Sequence, residues 1–245
     1  MSRPGFRRQL DLLTGRQLAV YSGSSGTLLL MLLQAPLIGY FIGLAWRSQE
    51  AVPQTYFIMA LAAVWMGCMN ACTAIVQERQ VFSRERMFDL DIRSYLLSKM
   101  SVLCVVCGLQ SALLLAAQGR LMHLKDSVFA QGLLFLALAA TAVAASGLGL
   151  LISAFARTSH GAAVAVPILL IPQAIFSEAL LGQNIKNAVP SAIEKATLTK
   201  WCYQALVDIH KGAGFLEQSK DLLALSACLV LFLALAFVKL RWDDA

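Results

Sequence analysis

Charge is what this sequence has least of. Asp, Glu, Lys and Arg make up 14% of its 245 residues, against about a quarter in soluble domains, and only three histidines accompany them. With 58% hydrophobic residues and a mean hydropathy of +0.68, such a chain reads as a polytopic membrane protein. It has no Gly-x-x-x-x-Gly-Lys-Ser/Thr loop, so no phosphate-cradling nucleotide site is expected within it. Its net charge of +6 comes without a basic patch interleaved with aromatics, which argues against nucleic acid. The six cysteines form no disulfide framework: five lie in apolar runs, and Cys104 and Cys107 enclose only Val-Val, with no second pair to hold zinc. Ser146-Gly147 has no histidine within an apolar run to activate it, so close packing is the better reading.

What the chain does have is apolar runs of bilayer length, at about 28–46, 55–76, 100–118, 128–155, 161–181 and 221–238. Pro36 should kink the first, and Pro167 and Pro172 should break the fifth twice. The fourth is rich in small residues, including Ala144, Ala145, Gly147 and Gly149, that let membrane helices approach closely. Residues 5 to 21 carry Arg7, Arg8 and Arg16 around a stripe of Phe6, Leu10, Leu13, Gln17 and Tyr21, the pattern of an amphipathic interfacial helix. The string from Ser22 to Thr27 reads as a turn, and residues 192 to 209 as a second amphipathic helix. With both termini inside, twelve basic residues lie on the inner side against Arg47, Arg120 and Lys125 in the short outer loops. No secretory signal peptide is recognisable at the N-terminus.

The most distinctive stretch is polar. Gln77 to Lys99 holds nine of the thirty-four formal charges, alternating in sign, with Val81, Phe82, Met87, Phe88 and other apolar residues between them. A helix here is expected to continue out of the second apolar run and to be amphipathic, with Glu78 and Arg79 just below the bilayer. On charge alone, a solvated loop obeying the positive-inside rule fits equally well.

The order of these residues resembles a known family. Glu78-Arg79, Val81-Phe82, Arg84 to Arg86 and Tyr95 to Lys99 are similar to the segment after the second membrane helix of ABC-2 type transporter permeases, most closely the G-subfamily-like exporters and their bacterial relatives. The strings Gln34 to Gly39 and Leu198 to Leu206 are similar to that family's first membrane helix and outer hairpin. The resemblance implies an all-α protein with six membrane helices and both termini cytosolic, in a bacterial inner membrane. It implies an N-terminal connecting helix over residues 1–27, a transmembrane domain over 28–245, a cytosolic coupling helix and an outer amphipathic hairpin. The expected activity is that of the permease half of an ATP-driven exporter of hydrophobic or amphipathic molecules such as lipids. ATP and magnesium would be bound by an ATPase partner, on another chain or in another part of a longer one, and a second copy would complete the path. A secondary transporter or an intramembrane enzyme is the alternative.

The resemblance also assigns residues. Glu78, Arg79, Phe82, Arg84 and Glu85 would couple to the ATPase. Met66, counted back from Glu78, would line the substrate cavity with Ile171 and Ala174. Ala179 and Leu180, after Phe176-Ser177, would form the outer gate. Glu178 stands where the family has glycine, and either faces outer water or recognises a cationic substrate. Cys202, in the outer hairpin, is a candidate for a bridge between copies. No metal site is expected.

Overall fold

The computed structural model describes residues 5–47, 52–87, 90–122, 127–177, 193–212 and 215–242, and for 215–217 the backbone only. The expected gate residues Ala179 and Leu180, and Glu178, lie outside them. The described elements are helices in the order α1 (Phe6–Gly23), α2 (Ser25–Ala45), α3 (Pro53–Ala71), a 3-10 turn (Val76–Glu78), α4 (Arg79–Arg86), α5 (Ile92–Gln118), α6 (Val128–Phe155), α7 (Ser159–Ile175), α8 (Leu198–Lys211) and α9 (Phe215–Trp242). Asp91, Thr158 and Thr197 cap α5, α7 and α8 by accepting Arg93, Gly161 and Lys200 amides. Gly212, at φ 73°, closes α8 in the left-handed conformation that glycine adopts without strain.

Five stretches are long and apolar enough to cross a membrane: Ser25–Ala45, Pro53–Arg86, Ile92–Gln118, Val128–Phe155 and Gln218–Trp242. α7, at 17 residues, spans about 26 Å, short of a hydrocarbon core of roughly 30 Å. Its two prolines do not break it, since the helix runs from Ser159 to Ile175 through both. Nor is Ser22–Thr27 a long turn: Ser24 alone interrupts the helices, and α2 already begins at Ser25.

α3 and α6 form the centre, packed backbone to backbone. A Cβ on Gly67 would collide with the Ala142 carbonyl, and one on Gly149 would lie 2.6 Å from the Cys68 carbonyl oxygen. Close contact of this kind maximises dispersion where lipid removes the hydrophobic drive between helices. On one flank α8 adds Cys202 and Leu206 to a core with Tyr56, Met59, Leu134 and Leu138. At the end of the bundle where the basic residues gather, Leu13 of α1 and Phe82 of α4 pack with Tyr95, Leu96, Leu150 and Leu240.

α3 does not run on into the charged stretch, as expected, and the stretch is built of three pieces. α3 ends at Ala71, a turn and the 3-10 segment follow, and α4 runs eight residues to Arg86. A new helix then starts at Ile92, so Tyr95 and Lys99 belong to the membrane-spanning α5. The break is held from both sides. The Ser153 hydroxyl of α6 accepts the Ile75 and Val76 amides at 2.9 and 3.0 Å. In return the Arg79 guanidinium donates to the Ala154 and Ala156 carbonyls at 2.9 and 3.2 Å, satisfying acceptors that the end of α6 leaves open.

Candidate functional site

The candidate site is the ionic cluster where α1, the 3-10 turn, α4 and α5 meet. Glu78 is its centre. Lys99 of α5 donates to Glu78 Oε2 at 2.7 Å, the Tyr95 hydroxyl donates to the same oxygen at 3.5 Å, and the Gln17 amide of α1 donates to both oxygens at 3.1 and 3.3 Å. Arg16 reaches Glu78 at 3.9 Å and pairs directly with Glu85 of α4. Phe82 is buried against the Tyr95 ring, with centroids 4.8 Å apart. Lys99 is only 3% exposed, so its ammonium depends on Glu78 to offset the loss of water.

The five expected coupling residues therefore divide. Glu78, Arg79, Phe82 and Glu85 face inward and tie α4 to α1, α5 and α6, whereas Arg84 is exposed. Glu78 and Arg79, expected just below the bilayer, are turned into the protein, because the chain leaves the α3 helix at Cys72. The face of α4 turned away carries Gln80, Ser83, Arg84 and Met87, at helical spacing, with Met87 83% exposed. Of these, only Arg84 is among the expected coupling residues.

A second polar group lies deeper, within the membrane-length helices. Asn70 of α3 donates to Gln110 of α5 at 2.6 Å, and Gln110 donates to the Met31 carbonyl of α2 at 2.6 Å. Gln34 of α2 reaches Asn70 at 3.4 Å. A cavity of about 270 Å³ joins this group to the ionic cluster and is lined by Gln17, Tyr21, Asn70, Thr73, Gln77, Glu78 and Lys99 among others. Burial raises the Tyr21 phenol above its ordinary pKa. The signal in the sequence was the spacing of Lys99 and Gln110, eleven residues or three helical turns apart on one face of an apolar run.

The expected cavity residues also divide. Met66 is 1% exposed, inside the chain's own core with Met59, Leu138 and Cys202, so it is not on a wall open to a substrate. The open stripe of α3 is instead Ile58, Leu61, Trp65 and Met69, with Trp65 38% exposed. On α7, Ala162, Val166 and Leu170 are buried, whereas Val164, Ile168, Ile171 and Ile175 are exposed, Ile171 at 55%, and Ala174 is half-buried.

Cys202 does not offer itself for a bridge. It is fully buried, and burial raises its thiol to about 12, with Thr141 as hydrogen-bond partner. Among the described residues no three His, Cys, Asp or Glu side chains gather in a way that could hold a metal ion.

An ABC transporter ATP-binding/permease protein of Mycobacterium tuberculosis is 27% identical over 162 residues, covering 62% of this chain but 18% of that protein. The chain thus spans less than a fifth of the length of this relative. The ABC-2 type transporter family model matches residues 8–209, from α1 through the two polar clusters to the end of α8. An integral membrane protein with this match belongs to the ABC-2 type transporter family and is the membrane component of an ABC transporter.

Proposed function

We propose that this chain is the permease half of an ATP-driven exporter of hydrophobic or amphipathic molecules, lipids among them. The ATP and magnesium belong to an ATPase domain on another chain or elsewhere in a longer one. The Mycobacterium relative is an ATP-binding/permease protein by name, which supports the second arrangement as much as the first. In this reading the apolar run 161–181, which includes most of α7, completes six crossings, both termini are cytosolic, and the basic end of the bundle faces the cytosol of a bacterial inner membrane.

The observation that carries the proposal is the way α4 is mounted. Its inward side is bound to three other helices through Glu78, Arg79, Phe82 and Glu85, and its outward face of Gln80, Arg84 and Met87 is presented at the same end. A short helix so fixed is a lever: a push on the outward face is transmitted through ion pairs and packed rings, because packed interiors deform little. The ATPase rests on that face. ATP binding biases the permease between inward-open and outward-open states by its different contacts with α4 in each.

The substrate path runs between two copies, each presenting the α3 stripe of Ile58, Leu61, Trp65 and Met69 and the α7 stripe of Ile168, Ile171 and Ile175, with Ala174 beside it. These stripes carry no charge, which favours apolar or amphipathic cargo. Ala179 and Leu180 close the path at the outer side. The test is a reconstituted complex with its ATPase. Arg84→Glu combined with Met87→Asp should leave the permease folded and dimeric while lowering substrate-stimulated ATP hydrolysis and transport at least tenfold. Unchanged transport in that variant would reduce α4 to a topological loop.

A further inference from the structure

Beside α4 lies a pocket of about 340 Å³ that shares Arg79 and Phe82 with the mounting of that helix. It is lined by Ile75, Arg79, Phe82, Ser83, Phe155, Arg157, Lys239 and Leu240. Three of these are cations, brought together from the start of α4, the end of α6 and the end of α9, and no carboxylate is among them. Phe155 also lines a second, apolar cleft of about 540 Å³ between α6 and α7. That cleft has Leu148, Leu151 and Ile152 on one wall and Gly161, Ala165 and Leu169 on the other. From Phe155 back to Leu148 it reaches about 10 Å along α6, a third of the way into a hydrocarbon core of roughly 30 Å. The Lys239 ammonium sits 5.5 Å from the centroid of the Phe155 ring, at the junction between the two spaces.

We infer that these adjoining spaces form one binding site for an anionic phospholipid of the leaflet that meets the basic end of the bundle. The headgroup phosphate lies among Arg157, Lys239, Ser83 and the charge of Arg79, and one acyl chain enters the α6–α7 cleft past Phe155. Charge selects the occupant. Basic residues at a membrane surface attract anionic lipid by about 1 kcal/mol each, but ordinary topological arginines have no chain-shaped apolar cleft beside them. Two of the cations are placed by structure rather than by chance. Arg79 is held on the Ala154 and Ala156 carbonyls, and Lys239 by the Phe155 ring. Arg157 follows Phe155 by two residues, where α6 has given way to extended backbone at Ala156. A lipid seated here would touch α4, α6, α7 and α9 together, and so bear on the helix end that meets the ATPase in the proposed function. The binding itself requires only that this end meets a lipid leaflet, so it stands or fails separately from the transport reading.

The test is lipid retention by the purified full chain, measured by native mass spectrometry after exposure to equal amounts of phosphatidylglycerol and phosphatidylcholine with matched acyl chains. The wild type should retain phosphatidylglycerol about 25-fold more. Arg157→Gln with Lys239→Gln should remove that preference, roughly fivefold for each charge, whereas Arg157→Lys with Lys239→Arg should keep it. Arg7→Gln with Arg8→Gln, exposed on α1, should also keep it. Ala165→Trp, which fills the cleft, should lower retention of both lipids, and inorganic phosphate should not displace them. Equal retention of the two lipids by the wild type would overturn the inference. So would equal loss in the Arg7/Arg8 variant, which would show diffuse surface attraction. Full retention in Ala165→Trp, or displacement by phosphate, would show an anion site without a lipid. An Arg157/Lys239 variant that keeps its lipid preference but loses ATPase binding would assign the pocket to the protein partner instead.

Discussion

Lys99 shows how much one residue's meaning depends on its partner. It looked like the cytosolic end of a charged loop, but it is a buried cation in a membrane-length helix, held by Glu78 across twenty-one residues of sequence. Truncating one side of a buried pair leaves the other charge without compensation. Lys99→Met should therefore destabilise the folded protein in detergent by about 3 kcal/mol, at the low end for such pairs because Glu78 keeps Gln17 and Arg16. Lys99→Met with Glu78→Gln should cost less than the sum of the two single changes, and additive costs in thermal unfolding would show that the pair does not act as one. Arg79→Gln should cost about 1–3 kcal/mol by uncovering the α6 carbonyls, so its loss should appear as instability before it appears as lost transport. The Cys202 thiol should resist maleimide in the folded protein and react once it is unfolded. Rapid labelling of the native state would contradict its burial.

Among the elements, α6 was legible from the sequence to its terminal residues, because a long apolar run flanked by Ser127 and by Arg157 has few other ways to fold. α1 was legible as a helix, the expected residues 5 to 21 lying close to Phe6–Gly23, although Arg16 turns inward to Glu78 and Glu85. The charged stretch was not, and the cause is physical. Helical phase can be counted only along an unbroken helix, and the count from Glu78 back to Met66 crossed a turn and a 3-10 segment. Each turns the chain by a different angle per residue than an α-helix does, so the count reached the buried side when the open one is at Trp65. Among the partners that turn Glu78 and Glu85 inward, Gln17 and Arg16 come from α1, some sixty to seventy residues earlier, and periodicity carries no information about them. The small residues of α6 were expected to permit close approach, but their matching positions on α3 were not evident. That contact can be tested. Gly149→Leu should prevent folding or cost well over 3 kcal/mol, since the obstructing atoms are backbone. Gly108→Leu, at a position with nothing within 4 Å of a Cβ, should be nearly neutral. Similar behaviour of the two would show that α3 and α6 are less tightly apposed.

For the molecule as a whole, the charge-free stripes on α3 and α7 set the expectation for assembly. If they meet a second copy, Ile171→Cys or Ile175→Cys should crosslink two chains in a nanodisc, whereas Val230→Cys, exposed on α9, should not. Finding only monomers would count against the paired path. Ile171→Trp should give a folded dimer with altered transport, and normal transport of a hydrophobic substrate by that variant would remove Ile171 from the wall.

The seat of α7 has one more consequence. It rests on the bundle along a strip of Ala162, Val166 and Leu170, and near its end Thr199 of α8 donates to the Gln173 side-chain oxygen at 3.3 Å. A strip of aliphatic groups resists separation but offers little resistance to rolling, because one methyl contact is readily exchanged for the next. A polar bond at one end acts as a pin. The helix is thus built like a roller bearing with a stop: a turn about its own axis would break the Thr199–Gln173 bond first, whereas α3 and α6 are locked backbone to backbone.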